Sequence, residues 1–275
     1  MIDVEKIKKI AHEMRIDIIK MIYKAGSGHP GGSLSSVEIV AVLYFHVMKH
    51  NPSNLKWEER DRFILSKAHV CPVLYAAMAE SCYFPKEELL TFRKLGSRLQ
   101  GHPHMSGLPG LETSAGSLGQ GLSIATGSAI GFKMDQKPNR VYCLLGDGEL
   151  DEGQVWEASM TASHYKLDNL CAIVDRNGLQ IDGNTEDVKK LEPLPDKWKA
   201  FGWHVIVTDG HDILKLSNAF DEAKNTKDKP TVIITKTIKG KGVSFMENKA
   251  EWHGKAPNHE QYIQALKDLN YEGEI

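Results

Sequence analysis

Apolar residues recur at Ile7, Ile10, Met14, Ile18, Met21 and Ile22, with charged residues between them. Spacings of three and four put these side chains on one face of a helix, so residues 3–25 are predicted to form an amphipathic helix whose stripe is buried in a core or an interface. A second helical pattern covers 33–48, with Ser33 or Ser35 as its cap. Further on, short apolar runs alternate with helix-length segments. They predict strands at 62–65, 141–145, 170–174, 204–207 and 231–235, and helices at 70–82, 121–134 and 152–165. Strands joined through helix-length crossovers run parallel. The expected fold class is therefore α/β, a wound, mainly parallel sheet with helices on both faces. The tail, 257–275, reads as a complete helix followed by a polar Glu-Gly-Glu end, as natural termini often do. No internal repeat or low-complexity tract breaks the alternation, and residues 1–275 are read as a single domain.

Two of these strands end in unusual turns. The first runs into Gly146-Asp147-Gly148, the second into Asp175-Arg176-Asn177-Gly178, and one helix plus one return strand separates them. Such a parallel βαβ unit ends both strands on the same sheet edge, so Asp147 and Asn177 face each other across the crevice where open α/β sheets bind ligands. A carboxylate and an amide oxygen form a sparse shell for a hard divalent cation. Mg²⁺ accepts such a shell when phosphate oxygens and water complete its octahedron. Gly146 and Gly148 allow a close backbone approach to a diphosphate, and the helix N-terminus that follows adds unpaired N–H groups and a favourable dipole. Without a ligand, Gly-Asp-Gly and Asn-Gly are ordinary turn sequences.

The remaining candidate chemistry lies in glycine-rich loops: Gly26-Ser-Gly-His29-Pro, Ser66-Lys-Ala-His69, Gly101-His102-Pro, Gly116-Ser-Leu118-Gly119-Gln120-Gly121 and Trp252-His253-Gly254. A histidine beside Gly and Pro is commonly a turn residue with a satisfied hydrogen bond, and His12, His46 and His164 are read so. Loops at the end of a rigid sheet are also where catalytic polar groups are usually carried, which is the reading for His29, His69, His102 and His253. The stretch 236–256, with Gly240, Gly242 and Gly254, is either a mobile cover over the site or a passive surface loop.

Taken together and in this order, the loops and the Gly-Asp-Gly…Asn pattern resemble the transketolase family over about 10–257. The resemblance implies a thiamine diphosphate-binding fold of the diphosphate (PP) type. It implies that Asp147, Asn177 and the backbone carbonyl of Leu179 hold Mg²⁺ or Ca²⁺. By the same resemblance His69 and His253 contact the cofactor diphosphate, Gly116 and Leu118 pack against it, and Gly146 and Gly148 complete the cradle. His29 and His102 then reach the sugar hydroxyls, with His253 close enough to assist proton transfer. The implied reaction moves a two-carbon ketol unit from a ketose phosphate to an aldose phosphate. Two departures bear on the acceptor: Lys67-Ala68 stands where relatives often have Gly before the histidine, and His104 where an acid is common.

A full-length transketolase carries three domains, of which this chain has the first. The glutamate that activates the aminopyrimidine ring belongs to the second. The chain therefore resembles the N-terminal subunit of a split transketolase, whose C-terminal subunit supplies the pyrimidine-binding and C-terminal domains in an α₂β₂ heterotetramer; a fragment of a longer chain reads identically. Loops 26–34 and 116–121 are expected to line the partner contact and to need a neighbour to shape them. Alternatives within thiamine chemistry are a deoxyxylulose phosphate synthase-like or 2-oxo acid dehydrogenase α-like subunit, or a degenerate member without activity.

Composition narrows the rest. Net charge is −2 with acids and bases interspersed, so neither a nucleic-acid footprint nor a membrane-binding basic cluster is present. The N-terminal segment has no signal-peptide apolar core, and the apolar stretch 37–48 is short and contains Glu38 and His46. Four cysteines without Cys-x-x-Cys spacing read as reduced thiols of a cytoplasmic protein. Gly146 and Gly148 are not followed by the third glycine of a dinucleotide-binding turn, and no Gly-x-x-x-x-Gly-Lys loop occurs. The histidines lack the close helical pairing of a zinc hydrolase.

Overall fold

The structure is a computed structural model and describes residues 2–273. Helix α1, Val4–Ala25, buries the apolar stripe seen in the sequence; Asp3 caps it by accepting from the Lys6 amide, and Gly26 closes it in the left-handed region. The second helical pattern divides. It begins at Pro30, not at Ser33, because proline's fixed φ and missing N–H suit the first turn. Ser33 and Ser35 are not caps. They lie inside α2, Pro30–Ser35, and their hydroxyls donate back to the carbonyls of His29 and Gly32. The chain breaks at Ser36, restarts as α3, Val37–Val42, and ends in a wide π turn over Leu43–Val47.

The strands and helices then alternate as expected. They are β1 Arg62–Leu65, α4 Cys71–Glu80, α5 Gln120–Met134, β2 Val141–Gly146, α6 Gly153–His164 and β3 Leu170–Arg176. A two-residue hairpin, β4 Leu179–Gln180 with β5 Gly183–Asn184, leads into α7 Thr185–Val188 and α8 Leu194–Ala200. The chain continues through β6 His204–Asp209, α9 Ile213–Asn225, β7 Thr231–Lys236 and α10 His259–Asp268. The main sheet is five-stranded in the order β1-β2-β3-β7-β6, and every pairing is parallel. Helix α10 carries a capping box between Asn258 and Gln261. The expected polar end runs on to Glu274 and Ile275, which lie outside the described residues.

Parallel strands buried on both faces need apolar residues of both parities. Phe63, Leu65, Tyr142, Leu144, Cys171, Ile173 and Ile233 face the core built with α1, α3, α4 and α9. Their neighbours Ile64, Val141, Cys143, Leu145, Ala172, Val174 and Ile234 face the core built with α5, α6 and α8. Cys71, Cys143 and Cys171 are buried free thiols and Cys82 is an exposed one. No helix among the described residues is long and apolar enough to cross a membrane.

The stretch after β7 is not a passive surface loop. Val243 and Met246 are fully buried, Trp252 nearly so, and Gly240 adopts φ 78° so close to Met246 that a Cβ would lie 2.4 Å from its carbonyl oxygen. This segment forms one wall of the site at the carboxyl edge of the sheet.

Candidate active site

Strand register sets the site. Gly146 pairs with Asp175, so β2 and β3 end level and their turns meet. Asp147 staples the two: its Oδ1 accepts from the Gly148 amide at 2.9 Å, and its Oδ2 from the Gly178 amide at 2.6 Å and the Arg176 guanidinium at 3.2 Å. Asn177 Oδ1 accepts from the Leu179 amide at 3.1 Å, and the Leu179 carbonyl accepts from the Lys239 ammonium at 3.2 Å.

These turns open onto a cavity of about 300 Å³. Its lining contains every residue singled out in the sequence: His29, His69, His102, His253, Gly116, Leu118, Gly146, Asp147, Gly148, Asn177 and Leu179. It also contains residues that sequence reasoning missed, chiefly Lys67, Glu149, Gln180 and Lys239. Glu149 carried a faint signal as the acid next to a glycine turn rich in unpaired amides. Its buried carboxylate accepts from the Gly119 amide at 2.8 Å, the Gly146 amide at 2.9 Å and the Ser66 hydroxyl, tying three loops together. Loop 116–121 is thereby anchored at Gly119 within this chain, and loop 26–34 turns helical from Pro30.

Lys67, behind His69, forms a buried ion pair with Asp175, which also accepts from Ser35, Ser36 and Thr237. Burial alone would raise the Asp175 carboxyl, but Lys67 and these hydroxyls hold it below its ordinary value. Lys239 is different. It is buried with no carboxylate within ion-pair distance among the described residues, and burial pushes its ammonium down to about 8. It donates to the Leu179 carbonyl and to His253 Nδ1, at 3.2 and 3.1 Å, which uses two of its three N–H groups. Accepting there leaves His253 with its proton on Nε2.

His29, His69 and His253 cluster with ring centroids 5.0, 5.5 and 5.1 Å apart. Burial, reinforced by neighbouring positive groups, lowers them to about 4, 2 and 3 respectively. His102 stands apart, beside Gly116, and is lowered by burial and by Arg93. All four are neutral imidazoles at neutral pH, able to donate from one nitrogen and accept at the other.

The clustered imidazoles predict an acid-sensitive fold. Their folded-state values lie below the ordinary 6.5, so the unfolded chain binds more protons than the folded one. Stability is thus whole above about 6.5 and declines as pH falls toward 4 and below. Urea midpoints between pH 7 and 4 should fall for the wild-type chain and fall less steeply for His69→Gln. Parallel pH slopes would count against burial of a neutral His69.

The two ends of the cavity differ in what they lack. At the Asp147 end burial comes first and Asp175 second in raising the carboxyl above its ordinary value, with Arg176 as the opposing charge. Arg176, at 3.2 Å, offsets that burial only in part. Lys239 has no ion-pair partner among the described residues, with Asp147 and Asp175 attracting it only at longer range, and the buried Gln180 Nε2 of the lining has no hydrogen-bond partner. No group of three or more His, Cys, Asp or Glu among the described residues could hold a metal alone, so a cation here needs oxygens from a ligand. A diphosphate would give Lys239 and Gln180 oxygens to donate to, and a divalent cation with it would set a positive charge beside Asp147.

Comparison with known proteins bears on the same point. Residues 6–273 match the family described as transketolase, thiamine diphosphate binding domain. A 6-deoxy-6-sulfo-D-fructose transketolase subunit of Clostridium sp. (strain MSTE9) is 47% identical over 263 residues, covering 96% of both chains. An apulose-4-phosphate transketolase subunit from Phocaeicola vulgatus is 41% identical, over 97% of this chain and 95% of that one. The crystal structure of Campylobacter jejuni transketolase superposes with a TM-score of 0.93 at 34% identity; it covers all of this chain, which spans 44% of that protein's length. With residues 6–273 matched to the family's thiamine diphosphate-binding domain and 47% identity to a named transketolase subunit over nearly its whole length, the chain belongs to the transketolase family.

Proposed function

We propose that this chain is the diphosphate-binding subunit of a two-part transketolase that moves a two-carbon ketol unit from a ketose phosphate, or a ketose with another terminal anion, to an aldose phosphate. The observation that carries it is the convergence of the loop residues from His29 to His253 on a single cavity that also holds the Asp147 carboxylate and the buried Lys239 ammonium. Full-length similarity to chains named as transketolase subunits supports the two-part reading. On this reading the pyrimidine-binding and C-terminal domains are carried by a separate polypeptide, and closed two-fold symmetry makes the whole a heterotetramer. Free buried thiols suit a cytoplasmic enzyme of pentose phosphate or related sugar metabolism.

Asp147, Asn177 and the Leu179 carbonyl would hold Mg²⁺ or Ca²⁺. His69, Lys239 and His253 would take the diphosphate, and Gly116, Leu118, Gly146 and Gly148 would form its cradle. When bound, thiamine diphosphate supplies the nucleophilic carbon and the electron sink that carbon–carbon cleavage requires. This chain contributes neutral imidazoles: His102 and His29 bind sugar hydroxyls and accept their protons at the free ring nitrogen, and His253 assists from the far wall. The relatives' names join a sulfosugar and a sugar phosphate, both with an anion at the end remote from the reacting carbons. The residues that read that anion are assigned to the partner.

The test is a pair of variants in the assembled enzyme. His102→Ala should lower turnover by about 10²–10⁴-fold, the usual value of positioned proton transfer, with cofactor affinity little changed. His69→Ala should chiefly weaken thiamine diphosphate binding. The reverse pattern would show that the two roles have been exchanged.

A further inference from the structure

Behind the cavity wall lies a buried polar unit that the proposed reaction leaves unused. Arg15 on α1 pairs with Glu38 on α3 at 2.7 Å, and both side chains are buried. Glu38 Oε2, which also accepts from Arg15 at 2.8 Å, meets Nδ1 of His211, in the loop between β6 and α9, at 3.0 Å. His211 Nε2 in turn lies 2.8 Å from the Ile238 amide. A backbone amide can only donate, so Nε2 is the acceptor and the ring proton is on Nδ1, facing Glu38. Burial pushes the Glu38 carboxyl up, but Arg15 and His211 outweigh it and hold it ionised.

The chain that this unit grips is the one that presents Lys239. His211 holds the Ile238 amide, and the Arg15 Nε donates to the Lys241 carbonyl at 3.1 Å. Between them the Gly240 amide donates to the Gly31 carbonyl at 2.9 Å, and the Lys239 carbonyl accepts from the Asn248 amide at 2.9 Å. Four contacts over four residues fix the backbone on either side of one lysine, whose side chain crosses to Leu179 and His253. A lysine has high rotamer freedom, and an ammonium buried without a carboxylate is costly. A fold that meets both costs and anchors the flanking backbone is holding that ammonium for an anion.

We propose that His211 is a positioning residue: through the Ile238 amide, and backed by Glu38 and Arg15, it fixes the Lys239 ammonium for the cofactor's diphosphate. The inference rests on the cofactor reading above and adds to it a residue outside the cavity. It predicts coupling between His211 and Lys239 that general packing would not produce.

Amide hydrogen exchange on the chain alone and calorimetric titration of the chain with its partner, using thiamine diphosphate and Mg²⁺, test it together. In His211→Ala the Ile238 amide should lose at least about tenfold of its protection, and cofactor binding should weaken by about tenfold, the scale of one hydrogen bond. His211→Gln, whose amide oxygen can accept from Ile238, should restore much of both; His211→Asn, one carbon shorter, should not. Added to Lys239→Ala, His211→Ala should weaken binding no further. A full additional loss on that background, or unchanged affinity in His211→Ala, overturns this inference alone. Absence of binding by the wild-type assembly overturns the cofactor reading, and this inference with it.

Discussion

Given a ketose phosphate, an aldose phosphate, thiamine diphosphate and Mg²⁺, the purified chain is expected to transfer no two-carbon units; activity should appear only on addition of a C-terminal transketolase polypeptide. The expectation follows from what the sheet edge offers. It presents carboxylate, amide and carbonyl oxygens, buried ammonium groups and neutral imidazoles, which the proposed reading assigns to a metal–diphosphate and a sugar. The chain spans less than half of the Campylobacter jejuni transketolase that it superposes on, so the groups that would grip and activate an aminopyrimidine are sought elsewhere. Robust transfer by the chain alone would refute the two-part reading even with every cavity residue correctly assigned.

Asp147→Ala should abolish Mg²⁺-dependent thiamine diphosphate retention. Outer partners of metal ligands typically cost 10–100-fold in metal affinity when removed, so loss of the single charged ligand proposed should exceed about 100-fold. The substitution has a structural side, because the Gly178 amide and one arm of Arg176 lose their acceptor; an unpaired buried donor costs about 1–3 kcal/mol. Asp147→Asn separates the two effects. Its single oxygen can still accept from Gly178 and Arg176 while its NH₂ faces the Gly148 amide, so it should lose less stability than Asp147→Ala and still bind poorly. Asn177→Ala should weaken binding less completely. Calorimetry with the partner present, alongside thermal unfolding, reads both quantities, and wild-type affinity in a folded Asp147→Asn protein would remove the metal assignment.

Much of this architecture can be read from local pattern. The apolar stripe of α1, the both-parity strands and the helix-length crossovers each carry a period, and the period dictates a parallel sheet. Once β2 and β3 are parallel neighbours, Asp147 and Asn177 must meet. The four loop histidines came instead from the order of family motifs, since nothing local separates them from turn histidines. The break at Ser36 was hidden because the apolar pattern runs through it, while the cause, hydroxyls bonding to Gly32 and Asp175, is partly nonlocal. Lys239, Glu149 and the Arg15–Glu38–His211 unit were hidden for the same reason. Hydrophobic periodicity carries no record of which polar groups meet, and Arg15 and Lys241 are separated by most of the chain.

Glu149 has a consequence for the order of events in assembly. By accepting from Ser66, Gly119 and Gly146 it fixes three cofactor-facing loops during folding of this chain, and the conformational entropy of ordering them is spent at that stage. Little ordering of those loops is left for later encounters. On the proposed reading, cofactor and partner polypeptide would thus meet a preformed half-site, in either order.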